Sequence, residues 1–136
     1  MKMVLLVEPD EILRAFYELE LRDDGFDVVS AGSISDAAAV LETEDPDVLI
    51  ADYRPYPDMS SRQMLQLLNT AETPIIILSC VPLQNVPDGL SKPAACVIKS
   101  SNTKELKKQI QRLTFNNRQW DDNVHGVPVA DTGFVF

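Results

Sequence analysis

What this chain has little of narrows its chemistry first. It holds a single histidine, His125, with no nucleophile beside it in the sequence, so a Ser-His or Cys-His catalytic pair has no general base to draw on. Its two cysteines, Cys80 and Cys96, form no CxxC and lack His or Cys partners at metal-ligand spacing. That spacing excludes a zinc site and leaves two reduced, buried thiols as the expectation. Glycine is scarce, and none follows the first apolar run, where Pro9 also removes a backbone donor, so a nucleotide or flavin cradle is disfavoured. Long hydrophobic runs are missing too. Stretches such as Pro74 to Leu78 are strand-sized, and MKMVLLVEPD turns acidic before a signal-peptide core forms, so neither a membrane span nor a leader is expected and the protein reads as cytoplasmic. Positive charge is short as well: 12 Lys and Arg against 21 Asp and Glu give a net charge of -9, which disfavours direct nucleic-acid binding.

What is present is the composition of one packed domain. A length of 136 residues with 45% hydrophobic and 24% charged side chains suits a single core and is too short for two. The charge is uneven, with 15 of the 21 acids in residues 1 to 58, while Lys92, Lys99, Lys104, Lys107, Lys108, Arg112 and Arg118 fill the later third. Two faces of different sign follow.

Short β-rich runs alternate with segments of helical period, the pattern of βαβ units around a parallel sheet. The strands are expected at Lys2 to Val7, Phe26 to Ser30, Val48 to Asp52, Pro74 to Ser79 and Ala95 to Lys99. Between them Ile12, Leu13, Phe16 and Leu19 form one apolar stripe, Ala37, Ala38, Val40 and Leu41 a second, and Met64, Leu65, Leu67 and Leu68 a third; Leu106, Ile110 and Leu113 form the last. Ser33 with Asp36, Ser60 with Gln63 and Asn102 with Glu105 resemble capping pairs at the helix starts. In the segment after the fourth strand, Pro82, Pro87, Gly89 and Pro93 leave room for only a short or broken fourth helix. Helical periodicity stops at Leu113.

In an open parallel sheet, ligands bind at the carboxyl ends of the strands, where the strand order reverses. The residues at those ends are Glu8 and Asp10 after the first strand, Asp52 closing the third, Ser79 closing the fourth and Lys99 closing the fifth. Carboxylates bind Mg2+ through oxygen, while an ammonium and a hydroxyl bind the oxygens of a phosphoryl group carried on one carboxylate. Together they describe a phosphoryl-transfer site built on positioning and charge neutralisation. Taken singly, Glu8 and Asp10 are acids at the positive end of a helix, with Asp10 its N-cap, and Ser79 and Lys99 are an ordinary strand end and a surface charge. Asp52 differs, because a carboxylate ending the apolar strand VLIAD needs a reason to be half-buried.

Over residues 2 to 114 the chain resembles the response-regulator receiver family. VLLVEPDEILR is similar to that family's first strand and acidic loop, DPDVLIAD to the strand ending in the phosphoacceptor, PIIILSC to the strand ending in Ser or Thr, and ACVIKS to the strand ending in Lys. The resemblance implies a flavodoxin-like doubly wound α/β fold with a five-stranded parallel sheet in the order 2-1-3-4-5. It also implies that Asp52 accepts a phosphoryl group, that Ser79 and Lys99 sense it, and that Glu8, Asp52 and, weakly, Asp10 hold Mg2+. A histidine kinase or phosphotransfer protein would supply the phosphoryl group, and a downstream protein, or a second copy in a homodimer, would receive the signal. Such a domain is a signalling module and not an enzyme.

Four departures stand beside the resemblance. Pro9 replaces an expected acidic ligand, Ser100 the usual proline after Lys99, and Cys96 the aromatic switch residue, and the loop YRPYPDMSS has its prolines displaced and Ser60 where Gly is common. They support an alternative reading, a degenerate receiver that binds partners without phosphorylation. Arg54, two residues past Asp52, either overlies the site or is a solvated surface cation, the second being preferred. Residues 1–114 are expected to be the receiver and residues 115–136 a C-terminal extension. Through Phe115, Trp120, Phe134 and Phe136, that extension is expected to dock near the fourth helix and fifth strand.

Overall fold

A computed structural model describes residues 2–53, 59–82, 87–91, 94–123 and 134–135. Five strands, β1 (Met3–Val7), β2 (Asp27–Ala31), β3 (Val48–Asp52), β4 (Ile75–Ser79) and β5 (Ala94–Ile98), pair in parallel in the order β2-β1-β3-β4-β5. This is the expected doubly wound sheet. A sixth strand, β6 (Phe134–Val135), adds to its far edge in the antiparallel sense, pairing Phe134 with Ala95 and Val135 with Ala94. Four helices complete the domain: α1 (Glu11–Asp23), α2 (Ile34–Thr43), α3 (Met59–Thr70) and α4 (Lys104–Asn123). None among the described residues is long and apolar enough to cross a membrane.

The central strands are apolar throughout because both of their faces are covered. Val4, Leu6, Val48, Ile50, Ile76, Leu78, Ala95 and Val97 point into one core with Tyr17 and Leu21 of α1 and Leu106, Ile110 and Leu113 of α4. Leu5, Val7, Leu49, Ala51, Ile75, Ile77 and Ala94 point into the other, with Ala37 of α2 and Met64, Leu67 and Leu68 of α3. Helix α1 ends in a reversal that sets β2 beside β1. Gly25 takes a φ of 93°, a left-handed conformation that favours glycine, while Phe26 N–H bonds to Leu21 C=O and Gly25 N–H to Arg22 C=O.

Several expectations need correcting. The stripe on α1 is rotated: Leu13 and Phe16 are partly buried and Tyr17 and Leu21 fully so, whereas Ile12 is 82% and Leu19 62% exposed. An i, i+4, i+8 row of Leu13, Tyr17 and Leu21 faces the sheet, and the aromatic ring of Tyr17 supplies the contact area that Leu19 was expected to give. Ser33 caps α2 as expected, accepting the Asp36 N–H, but α3 starts at Met59, which puts Ser60 inside the helix. Helix α4 starts at Lys104, whose N–H is taken by Asn102 Oδ1, so the expected Asn102–Glu105 box is offset by one residue. The same helix continues to Asn123, ten residues beyond the last core leucine. Phe115, expected to dock, is 57% exposed there. Cys80 lies exposed just past the end of β4 and Cys96 is half-buried on the outer strand β5, so neither is the fully buried thiol expected.

Between β4 and β5 the described residues show a turn at Asp88 and Gly89 and no helix, while positions 83–86 and 92–93 lie outside the described residues. So do Arg54, Trp120's side chain, His125 and Phe136.

Candidate functional site

Each strand of the α1/α4 core contributes a row of side chains on alternate residues, and three of those rows end in a charge. Leu6 is followed two residues on by Glu8, Ile50 by Asp52 and Val97 by Lys99. Side chains two apart on a strand share a face, so the three charges emerge side by side above the same apolar layer. The registers align their tips: Leu6 pairs with Ile50, Asp52 with Leu78, and Ser79 with Ile98.

There the Lys99 ammonium bridges two acids. Its Nζ lies 2.6 Å from Glu8 Oε1 and 2.6 Å from Asp52 Oδ1. Glu8 is 1% exposed and Asp52 8%, so both carboxylates have given up most of their hydration and rely on hydrogen bonds and counter-charge in its place. Burial is the largest single influence on Lys99 and works against its charge. The hydrogen bonds and charges of Asp52 and Glu8 together outweigh it and hold the lysine pKa above its ordinary value. Next to this cluster, burial pushes the Tyr17 phenol up as well, opposed in part by the backbone of Ser100 and the charge of Lys99.

The other anticipated residues are placed differently. Ser79 is buried at the end of β4, and its C=O accepts the Lys99 N–H at 2.8 Å, which ties the two strand ends together. Its position on the strand has the opposite parity from Asp52, and its hydroxyl accepts the Val81 N–H at 3.2 Å. Among the described residues no hydrogen bond joins that hydroxyl to Asp52 or Lys99. Asp10 is not brought to the cluster: it is the N-cap of α1, with Oδ1 accepting from Ile12 and Leu13 N–H at 3.0 Å each. Its own N–H donates to Glu8 Oε2 at 3.0 Å.

One contributor carries no sequence signal. Arg14, on the second turn of α1, reaches back to donate from Nη1 to the Glu8 carbonyl at 2.8 Å, and so fixes the loop that presents Glu8. The guanidinium lies against Gly32, where a Cβ would stand 2.7 Å from Nη1. A side chain there would displace the end of Arg14 from this position. Neither residue belongs to a spacing motif, and only the fold brings them together.

The chemistry of the donor set tests the implied Mg2+. Magnesium takes an octahedral shell of oxygens and in signalling sites uses one or two carboxylates with water and phosphate. Here the two buried carboxylates that could serve already share an ammonium, Pro9 carries no carboxylate, and Asp10 is spent as a cap. The described residues contain no group of three or more His, Cys, Asp or Glu side chains placed to hold a metal. With both carboxylates already engaged by Lys99, the described residues do not fit the ion as they stand.

A doubly wound parallel sheet with a buried acid paired to a lysine across its switch point defines a receiver-type domain. The description "Response regulator receiver domain" matches residues 4–111, and the chain belongs to that family. It is 31% identical over 78 residues to the probable transcriptional regulatory protein TcrX of Mycobacterium tuberculosis, a match covering 56% of this chain and 33% of that protein. The matched segment thus spans a third of that relative's length. Among solved structures, TrrA of Thermotoga maritima in complex with Mg2+-BeF is 22% identical with a TM-score of 0.68, covering 83% of this chain and 99% of that one. CheY4 of Vibrio cholerae, a chemotaxis response regulator, is 24% identical with a TM-score of 0.69, covering 83% and 98%. TrrA has also been solved in complex with the histidine kinase ThkA, where it is 22% identical to this chain, with a TM-score of 0.69 and coverage of 83% and 98%. The chain is therefore the receiver domain of a response regulator, a part of two-component signalling.

Proposed function

We propose that Asp52 is a phosphoacceptor and that the domain signals by changing which protein it binds. One observation carries this reading: the buried carboxylate of Asp52 meets the Lys99 ammonium at 2.6 Å at the strand ends, where an α/β sheet takes its ligands. An Asp52 oxygen attacks phosphorus and forms a new P–O bond while the donor's bond to phosphorus breaks and the leaving group departs with that electron pair. Lys99 then faces the negative charge that builds on the phosphoryl oxygens. The Ser79 hydroxyl, one residue away on the neighbouring strand end, would turn from Val81 to the same oxygens. A histidine kinase or phosphotransfer protein is the donor in this reading, the setting is cytoplasmic, and residues 1–114 are the receiver with 115–136 as an extension carrying β6.

A second reading is a degenerate receiver that binds its partner unphosphorylated. The displacement of an acid by Pro9 and the closed Glu8–Lys99–Asp52 triad favour it. One measurement separates the two. Incubation with acetyl phosphate should add one phosphoryl mass that is lost in hydroxylamine, and Asp52→Asn should abolish it; an unlabelled native chain would establish the degenerate reading.

A further inference from the structure

The cation at the heart of this site belongs to the chain itself. Lys99 Nζ stands 2.6 Å from an oxygen of each of the two buried acids, in the space a metal ion would need to reach them both. Both oxygens of Glu8 are already engaged, since Oε2 accepts the Asp10 N–H while Oε1 takes Lys99. The position next to it is a proline, and the acid after that holds the helix N-terminus through two backbone N–H groups.

We propose that Lys99 is the resident cation of this site, and that Asp52 takes up its oxyanion without a divalent metal. The proposal rests on Asp52 being the acceptor. For Mg2+ to enter, both ion pairs must break and the ammonium must leave a position where its side chain is only 11% exposed. Among the described residues the ion would then find only the two carboxylates that Lys99 had been neutralising. Magnesium sheds water reluctantly and gains least where few charged oxygens replace that water. The ammonium needs no such exchange, being delivered by β5 with its hydrogen bonds already made. The group transfer is the one written above: the donor's bond to phosphorus breaks, P–N in a phosphohistidine or P–O in acetyl phosphate, the Asp52 P–O bond forms, and the imidazole or acetate leaves with the electron pair. Lys99 swings from the Asp52 carboxylate onto the phosphoryl oxygens and neutralises charge that a metal would otherwise share.

The test uses the full chain in two arms. In the first, Mg2+ is titrated while the backbone amides of Asp10 and Tyr53 are followed by NMR, in the native chain and in Pro9→Asp, an exposed loop substitution that restores a carboxylate. The native amides should stay still through the millimolar range, while Pro9→Asp should show a saturable shift with affinity at least about tenfold higher. In the second arm, acetyl phosphate labelling is compared in EDTA and in Mg2+, and the yields should match. Native binding of Mg2+ as tight as that of Pro9→Asp, or labelling that EDTA abolishes, would overturn the proposal. Absence of label in both solutions would instead refute the acceptor reading, while the titration would still decide whether the site takes a metal.

Discussion

At the scale of the residue, Lys99 holds together two acids that would otherwise repel. Moving an ion into a protein interior costs several kcal/mol, and a pair recovers this only where geometry is good and the remaining lone pairs are satisfied. Lys99 meets that condition by serving two carboxylates at once. Removing it takes the shared ammonium from two buried acids, so Lys99→Met should lower stability by about 3–5 kcal/mol at neutral pH, measured by urea unfolding. Adding Glu8→Gln to that variant should return part of the loss. The pH dependence has a definite sign. Because the folded state holds the Lys99 pKa above its ordinary value, its contribution is fully present below the unfolded pKa of about 10.4 and disappears as pH climbs through the raised folded value. The stability difference between the native chain and Lys99→Met should therefore shrink in alkaline solution; a difference that widens there would show that the ammonium is not the stabilising form. The identity of this residue was legible in ACVIKS, as were VLIAD and its terminal Asp52. The Arg14–Gly32 contact was not, because it depends on helix α1 meeting the loop after β2.

At the scale of the element, the face that a helix buries is decided by what lies under it. On α1 the residues Ile12, Leu13, Phe16 and Leu19 satisfy helical spacing as well as Leu13, Tyr17 and Leu21 do, and spacing alone cannot choose between rows that differ by one position around the helix. The sheet chooses, because Tyr17 offers more area and a phenol that reaches the site end of the core. Leu21→Ala should cost about 2–5 kcal/mol, whereas Leu19→Ala should stay within about 0.5 kcal/mol, both read from denaturant midpoints at unchanged m-value. Equal losses would mean that Leu19 is covered in solution. Strands were far more legible than helix ends. A strand buried on both faces announces itself as an unbroken apolar run, while the sequence of α4 beyond Leu113 carries no apolar repeat at helical spacing to mark its last ten residues.

At the scale of the molecule, the chain finishes on the edge that its own sheet leaves open. An unpaired edge strand presents bare N–H and C=O groups to any other extended chain, and β6 covers the Ala94 and Ala95 end of β5 in cis. Removing residues 124–136 should lower the melting temperature or convert the protein to a larger species in light scattering. A truncated chain with the same melting temperature and the same mass would show that β6 contributes nothing to either. The antiparallel sense of β6 was outside what the sequence discloses, since two residues are too few for an alternating pattern to appear.

The Glu8–Lys99 bond joins residues 91 positions apart. During synthesis the first acid leaves the ribosome early, Asp52 follows, and neither has its counter-charge until β5 emerges. A nascent chain that has made β1 to β4 already carries both acids, yet it lacks the ammonium that the folded chain places between them. Assembly of the charged cluster is thereby postponed until β5 is in place, and it cannot form in a half-made copy.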